Sequence, residues 1–226
     1  MPDIDQKLIE SSIGAAELVF KEEPMDTYYT RQVLGSLSRW RVKRIIRELS
    51  PLSDKKVLDV GCEGGYVSLE LSKKGAKVFS FDVVHAALCC FRDKLRGFTL
   101  GKTLPSIFQA IAQQMPLASN TFDCAVCTEV LEHVPYPDLV IDEIARVLKP
   151  GGMLVVTFPN ERWRRKVYPI LKMFGINTDV EDKVTLYSYQ IEQILPVVRR
   201  HFTVTARYSL PPLVPFTFFI ACKKKQ

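Results

Sequence analysis

The sequence predicts an α/β fold: a doubly wound, Rossmann-like sheet of seven strands, mostly parallel, with an antiparallel C-terminal strand and an N-terminal helical cap. Strand patterns alternate with helix patterns from residue 56 to residue 158. A glycine-rich turn joins the first predicted strand to the next helix, and two closely spaced strands close the chain. Such alternation is typical of βαβ units, which build a parallel sheet with helices on both faces.

The first fifty residues (1–50) are predicted to form the helical cap. Apolar residues recur at helical spacing over 3–22, which indicates an amphipathic helix. A second helix is predicted over 36–49. It should end before Ser50-Pro51, because a proline disfavours helical geometry in the residue before it.

Residues 51–160 are predicted to form the core of the sheet. Strands are expected at 56–60, 77–81, 106–111, 122–127 and 153–158, and helices at 64–73, 83–96 and 139–148. The Lys-Pro-Gly-Gly segment at 149–152 should stop the chain sharply before the fifth strand.

Residues 161–226 are predicted to form substrate-cover helices and a C-terminal β-hairpin. Helices are expected at 161–174, with a kink at Pro169, and at 188–199. The last strands, 203–210 and 216–222, are joined by a connection too short for a crossover, so they should pair in antiparallel fashion at one edge of the sheet. The whole chain is expected to be a single domain.

Composition and cysteine usage limit the class of protein. Hydrophobic residues make up 47% and charged residues 25% of the 226, as in globular rather than disordered chains. The net charge of +6 favours weak attraction to anionic surfaces. Six cysteines without a regular framework, no signal-peptide pattern and no membrane-spanning run predict a reduced, cytoplasmic protein. Cys124 and Cys127 have C-x-x-C spacing but lie in a predicted buried strand without a second pair, so a zinc site is not expected.

The strand–turn–helix segment 57–66 is the clearest local signal, because such turns in doubly wound sheets hold nucleotide-like ligands. A dinucleotide motif G-x-G-x-x-G beginning at Gly61 would need glycine where the chain has Glu63 and Tyr66. The glutamate would repel a diphosphate, and the tyrosine would prevent close helix–strand packing. Asp82 ends the next predicted strand, and its carboxylate can accept both hydroxyls of a ribose. A cationic nucleoside without phosphates suits this arrangement better.

Four sequence blocks lie in order along the core: 57–65, 79–82, 115–123 and 129–152. Together they resemble the class I S-adenosylmethionine-dependent methyltransferases, in the branch that methylates small molecules, quinones and lipids. The resemblance is close over residues 54–160 and topological over 161–226. It implies S-adenosyl-L-methionine as the cofactor and S-adenosyl-L-homocysteine as the product.

The resemblance also implies which residues bind the cofactor. Asp59 and the glycine turn would hold the methionine end, and Asp82 the ribose. The position at which the family usually reads the adenine amino group falls on Ile111, and Glu63 replaces the usual middle glycine. The assigned residues are Asp59, Gly61, Cys62, Glu63, Gly65, Asp82, Val83, Ala112, Gln113 and Glu129.

Glu129, Glu132 and His133 follow the predicted strand 122–127 and allow three interpretations. The imidazole, with an ordinary pKa of about 6.5, suits a general base that takes a proton from the acceptor. The two carboxylates and the imidazole would also suit a divalent metal, as in certain quinone-ring and small-RNA methyltransferases with a similar segment. In the structural interpretation Glu129 lines the cofactor site, while Glu132 and His133 fix the loop.

Aromatic residues in the cap and the cover helices favour an apolar acceptor, since small-molecule pockets are mostly apolar. The candidate substrate-binding residues are Tyr28, Tyr29, Trp163 and Tyr168. Two basic clusters, 39–47 and 162–166, each contain a tryptophan. They would be solvated faces, contacts to phosphates, or peripheral contacts to an anionic membrane. No RNA-binding module is recognisable, so nucleic acid is not the expected partner.

The predicted function is therefore methyl transfer from S-adenosylmethionine to a small apolar or aromatic acceptor, such as a quinone-like ring or a lipid precursor. Two alternatives stay open. One is an RNA or protein methyltransferase that uses the basic clusters. The other is a catalytically silent cofactor-binding scaffold, which the departures at Glu63 and Ile111 allow.

Overall fold

The computed structural model of the protein describes residues 5–22, 32–97, 103–173, 186–211 and 215–226. The α-helices in these ranges are α1 (Gln6–Glu22), α2 (Gln32–Leu49), α3 (Tyr66–Ser72), α4 (His85–Arg96), α5 (Pro137–Val147), α6 (Glu161–Met173) and α7 (Ile191–His201). A short 3-10 turn spans Leu131–His133. The strands are β1 (Lys56–Val60), β2 (Lys77–Asp82), β3 (Ser106–Gln109), β4 (Phe122–Thr128), β5 (Leu148–Pro159), β6 (Phe202–Leu210) and β7 (Thr217–Lys224).

All seven strands belong to one sheet, in the order β3-β2-β1-β4-β5-β7-β6. β1 pairs in parallel with β2 and β4, β2 with β3, and β4 with β5. β7 lies between β5 and β6 and is antiparallel to both. The predicted doubly wound sheet with an antiparallel C-terminal strand is confirmed. Its order reverses between β1 and β4, and ligands of such sheets bind in the crevice at this switch point.

Two apolar clusters pack on opposite faces of the sheet. Leu58 and Cys127 belong to the cluster that includes residues of α5 and α7. Val57 and Cys124 belong to the cluster that includes residues of α2 and α3. Neighbouring strand residues point to opposite faces, so the C-x-x-C pair does not converge on one site. The six cysteines are free thiols.

Every strand except β1 differs from its predicted bounds by at least one residue, and the differences in β3 and β5 change the local structure. β3 ends at Gln109 rather than at residue 111, because the Ala110 N–H bonds to the Asp82 carbonyl and the chain then turns, with Gln114 donating to Ile111. Ile111 therefore lies in a loop beside the ligand crevice. β5 begins at Leu148, not after the Lys-Pro-Gly-Gly segment. That segment is absorbed as an irregularity in the β4–β5 register.

No helix in the described ranges is both long and apolar enough to span a bilayer.

Candidate active site

A cavity of about 230 Å³ opens at the carboxyl ends of β1, β2 and β4. Nine of the ten predicted cofactor residues line it: Asp59, Gly61, Cys62, Glu63, Asp82, Val83, Ala112, Gln113 and Glu129. One side of α1 adds an apolar wall made by Ile9, Ile13, Ala16 and Phe20. The cavity is therefore acidic near β1 and β2 and apolar where α1 faces it.

The turn after β1 is shaped by backbone hydrogen bonds. The Cys62 N–H donates to the Phe81 carbonyl at 2.9 Å, which ties the turn to β2. Gly61 has a φ of 70° and Glu63 a φ of 49°, both left-handed conformations. Glycine adopts this geometry without strain, whereas glutamate does so at a cost. The strained Glu63 nevertheless lines the cavity.

Gly65 has a packing role instead of a lining role. It precedes α3 with a φ of 80°, and the buried ring of Phe91 fills the space where a Cβ would lie. The structure therefore places Gly65 behind the turn, outside the cavity lining. The glycine lets α4 approach the turn closely.

Asp82 ends β2 with both carboxylate oxygens facing backbone donors. The Glu63 N–H donates to Oδ2 at 2.8 Å, and the Val84 N–H donates to Oδ1 at 2.9 Å. Burial raises the pKa of this carboxyl, and these N–H groups oppose that shift. Each carboxylate oxygen has a second lone pair. Asp82 can therefore hold the glycine turn and still accept hydrogen bonds from a ligand's hydroxyls.

Asp59 is fully buried at the end of β1. Its Oδ2 accepts a hydrogen bond from the Ser68 hydroxyl at 2.5 Å, and Ser68 lies 2.6 Å from the Ser80 hydroxyl. Its Oδ1 has no hydrogen-bond partner among the described residues. Burial raises the pKa of Asp59 to about 7. Leaving a buried polar atom without a hydrogen bond costs free energy. A ligand that donates a hydrogen bond to Oδ1 would remove this cost.

The raised pKa of Asp59 predicts a pH dependence of stability. The carboxyl stays protonated in the folded protein up to about pH 7, but ionises at about pH 4 in the unfolded chain. Between these values the folded state holds one more proton, so the free energy of unfolding should fall as pH rises. The Asp59→Asn variant should lose this slope. Urea unfolding of both proteins at pH 5 and pH 8 tests this. Equal pH dependence in the two proteins would refute it.

The carboxylate of Glu129, at the turn after β4, lies between the guanidinium groups of two arginines. Its Oε1 is 3.1 Å from the Arg41 guanidinium, and its Oε2 is 2.8 Å from that of Arg164. The Thr157 hydroxyl donates to Oε1 at 3.1 Å. Burial opposes ionisation of Glu129, but the two arginines outweigh it and hold the pKa of this carboxyl below its ordinary range. Glu129 is thus an ionised anchor between α2 and α6.

Glu132 and His133 lie in the 3-10 turn and also line the cavity. Glu132 is buried, and its Oε2 has no partner among the described residues. Its Oε1 is 3.9 Å from His133 Nε2. Burial, and then the negative charge of Glu129, raise the pKa of Glu132 well above its ordinary range. The side chain of His133 keeps 27% of its surface exposed, so a proton acceptor here is accessible from the cavity.

The metal interpretation has little geometric support. Both oxygens of Glu129 are taken by arginines, whose positive charges disfavour a cation. Within the described ranges, no three side chains of histidine, cysteine, aspartate or glutamate converge as a metal site would require.

The two aromatic candidates within the described residues do not line the cavity. Trp163 is 41% exposed, and Tyr168 is buried in packing; neither lines the cavity. The reason is the orientation of α6, which turns Arg164 towards Glu129 and so turns Trp163 outward. The other two candidates, Tyr28 and Tyr29, lie outside the described residues.

Sequence reasoning missed Arg41 and Arg164, whose side chains are only 11% and 10% exposed. Both lie in basic clusters, a pattern that predicts solvent-exposed charged faces. Each cluster contains buried as well as exposed positions, and apolar residues at helical spacing around Arg41 were the available signal for an inward-facing position.

A family model described as a methyltransferase domain matches residues 58–156. A ubiquinone biosynthesis O-methyltransferase of Xylella fastidiosa (strain M23) is 37% identical over 135 residues, 60% of this chain and 54% of that protein. The chain thus spans about half the length of the first curated relatives it matches. The enzyme of the same name from Pseudomonas fluorescens (strain SBW25) is 35% identical over 166 residues, 71% of this chain and 70% of that protein.

A solved structure supports the same fold. The crystal structure of magnesium protoporphyrin IX methyltransferase from Synechocystis PCC 6803, with bound S-adenosylhomocysteine, has a TM-score of 0.74 and 15% identity. The match covers 95% of this chain and all of that one (100%). At this identity the likeness concerns the fold alone. Sequence and fold agree, and the chain belongs to the class I S-adenosylmethionine-dependent methyltransferases.

Proposed function

We propose that the protein transfers the methyl group of S-adenosylmethionine to a small acceptor with an apolar or aromatic body and an ionisable hydroxyl. The observation that carries this proposal is the order of groups along the cavity. Carboxyl groups of Asp59 and Asp82 lie at the ends of β1 and β2, and His133 with Glu132 follows β4. A cationic nucleoside and a proton-losing acceptor fit these two ends.

The residues present fit the cofactor. The unpartnered Oδ1 of Asp59 can accept a hydrogen bond from the ammonium group at the methionine end. Asp82 can accept the ribose hydroxyls, and Arg41 lines the same cavity with a charge that suits the methionine carboxylate. When bound, the cofactor supplies an electrophilic methyl group on a sulfonium. The dinucleotide alternative stays disfavoured, because Glu63 would face a phosphate.

The protein's own residues then have three tasks. The apolar wall of α1 excludes water from the cavity. The glycine turn and Asp82 fix the donor, and an aligned pair of reactants gains much of the rate enhancement through proximity alone. His133 takes the proton from the acceptor hydroxyl, while Glu129, held by its two arginines, keeps the turn before the imidazole in place.

The acceptor class is proposed from the cavity and from the relatives together. The Xylella fastidiosa and Pseudomonas fluorescens relatives carry the name ubiquinone biosynthesis O-methyltransferase. Apolar side chains make most of the wall on the α1 side, and such a lining accepts rings and alkyl chains. A phenolic, quinone-like acceptor therefore fits both the lining and the base.

This function is tested by transfer of labelled methyl groups to a panel of phenolic acceptors. Replacing the imidazole in His133→Ala should lower kcat/KM by about 10²–10⁴, because a positioned base contributes that much. The loss should shrink above the acceptor's own pKa, where no proton has to be removed. His85→Ala is the matched control, since His85 lies outside the cavity lining. Unchanged turnover in His133→Ala across pH 6–9 would refute the role of base. Loss of native activity with EDTA would instead favour the metal interpretation.

We also propose an anionic membrane surface as a partner, through the outer face of α6. Trp163, Ile170 and Met173 occupy this face and are 41%, 52% and 77% exposed. Four exposed cations lie on the same helix: Arg162, Arg165, Lys166 and Lys172. Exposed apolar residues flanked by cations are typical of helices that lie at a bilayer interface. Arg164 of the same helix lines the cavity, so the helix that carries this surface also borders the site.

Vesicle sedimentation tests this surface. The protein should bind phosphatidylcholine vesicles that contain phosphatidylglycerol, and binding should weaken as salt rises. The Met173→Glu variant should reduce the bound fraction several-fold by placing a carboxylate in the apolar face. Leu104→Glu is the matched control, because Leu104 is 48% exposed and precedes β3, the edge strand on the other side of β1 from β5, which leads into α6. An equal effect of both variants, or no binding by the native chain, would contradict the proposal.

A further inference from the structure

The turn that carries His133 is held by a second segment of the chain, which lies just ahead of α7. The Tyr187 N–H donates to the Glu132 carbonyl at 2.9 Å, and the Tyr189 hydroxyl donates to the Val134 carbonyl at 3.2 Å. These two carbonyls belong to the residues on either side of His133. The segment therefore holds the backbone both before and after the imidazole.

This segment is itself fixed by packing. The rings of Tyr187 and Tyr189 stack with their centroids 5.9 Å apart and 16° between their planes. Tyr189 also packs against the apolar cluster that includes residues of α5 and α7. The next residue, Gln190, is the N-cap of α7, and its backbone N–H donates to the Gln193 side chain at 2.8 Å. A packed element therefore holds the Tyr189 hydroxyl against the turn.

The Tyr189 hydroxyl acts as a donor from outside the cavity. Burial, followed by electrostatic repulsion from Tyr187 and Asp138, raises the pKa of Tyr189 to about 12, so the hydroxyl keeps its proton near neutral pH. Neither tyrosine lines the cavity, whereas the three turn residues between the two hydrogen bonds all do. The hydroxyl can therefore affect a bound acceptor only through the turn.

Resting on the proposed function, we infer that Tyr189 is a positioning residue, which holds the His133 imidazole at the acceptor hydroxyl through its hydrogen bond to the Val134 carbonyl. Alignment of the reacting groups supplies a large share of enzymatic rate enhancement, so a displaced base lowers the rate even when both reactants stay bound. Tyr189 then contributes to kcat and not to KM. Tyr187 differs, because its hydrogen bond to the turn is made by its backbone.

Two conservative variants of the full chain test this assignment. Tyr189→Phe removes the hydroxyl and keeps the ring, while Tyr187→Phe is the matched control that leaves the backbone hydrogen bond in place. With the phenolic acceptor that gives the highest turnover, Tyr189→Phe should lower kcat about tenfold and change KM by less than about twofold. Tyr187→Phe should match the native protein in both constants. Both variants should bind S-adenosylhomocysteine with the native Kd.

A double-mutant cycle shows whether the effect passes through the imidazole. In a His133→Ala background the Tyr189 hydroxyl has no base to position. Adding Tyr189→Phe to that background should therefore change kcat by less than about twofold, because the two residues act as one unit.

Hydrogen exchange of the turn gives a measurement that needs no acceptor. The His133 N–H donates to the Val130 carbonyl and the Val134 N–H to the Leu131 carbonyl. Both amides should exchange at least about fivefold faster in Tyr189→Phe, because the turn then opens more often. Their exchange should be unchanged in Tyr187→Phe.

The outcomes separate this inference from the proposed function. A large loss of kcat in His133→Ala together with native kcat in Tyr189→Phe would overturn the inference alone. An equal loss from Tyr189→Phe with and without His133 would also overturn it, because the hydroxyl would then act elsewhere. Native kcat in His133→Ala would overturn the role of His133 as base and, with it, this inference. If no acceptor is methylated, the proposed function fails, and unchanged exchange of the turn amides in Tyr189→Phe would overturn the inference independently.

Discussion

The Asp82→Ala variant should bind S-adenosylhomocysteine at least about 100-fold more weakly than the native protein. Hydrogen bonds to a charged group contribute roughly 1.5–3 kcal/mol each, and two ribose hydroxyls would lose their acceptor together. The substitution also releases the Glu63 and Val84 N–H groups that Asp82 holds at 2.8 and 2.9 Å. The glycine turn would then lose its link to the end of β2. Calorimetric titration measures the change in Kd directly.

Two variants make this result specific. Asp82→Asn keeps the shape and one good acceptor, so its loss should be smaller than that of the alanine variant. Asp93→Ala removes an exposed carboxylate of α4 that pairs with Arg96, and its Kd should match the native value. A folded Asp82→Ala protein that binds within threefold of the native protein would contradict the assignment of the ribose to Asp82.

The Gly65→Ala variant should be the most damaging single methyl group in the described core. A Cβ at this position would lie 2.2 Å from ring carbons of Phe91, whose side chain is fully buried. The φ of 80° adds a second cost, since left-handed geometry costs an L-residue about 1–2 kcal/mol. Overpacking adds about 1–3 kcal/mol. We therefore expect urea unfolding to show a loss of about 3 kcal/mol, a large share of the roughly 5–15 kcal/mol typical of a domain.

Gly75→Ala isolates the backbone part of this effect. Gly75 has a φ of 85°, but its Cβ would meet Ser53 only at 3.4 Å or more, an ordinary contact. Its destabilisation should equal the left-handed cost alone. The double variant Gly65→Ala, Phe91→Leu should lose less unfolding free energy than the sum of the two single losses, because both substitutions change the same packed space. Equal losses in Gly65→Ala and Gly75→Ala would show that Phe91 yields without cost.

Local sequence patterns were enough to predict the order of strands and helices and the position of the glycine turn. The glycine turn is one continuous segment, and Asp82 ends the adjacent strand, whose neighbour in a parallel sheet is set by the short right-handed crossover. Residues that meet through one such crossover keep a readable spacing. This is why nine predicted cofactor residues line a single cavity.

The ion pairs of Glu129 with Arg41 and Arg164 could be identified only from the tertiary structure. Arg41 comes from α2 and Arg164 from α6, and no spacing in the chain connects either of them to Glu129. A basic run predicts solvent exposure, because isolated charges are costly to bury. The buried carboxylate reverses that expectation, and only the packing of α2 and α6 brings the three charges together.

Long-range contacts, and not the local sequence, also determine which side of α6 faces the site. Trp163 and Arg164 are neighbours, and consecutive residues of a helix point about 100° apart, so a rotation of the helix by about that angle would exchange their environments. Hydrophobicity alone favours burying the tryptophan. The charged partner available at Glu129 and the carbonyl of Phe216, to which Arg164 donates at 3.2 Å, favour burying the arginine. The sequence by itself therefore determined the fold and the glycine turn, while long-range electrostatic pairing decided which side chain of α6 lines the cavity.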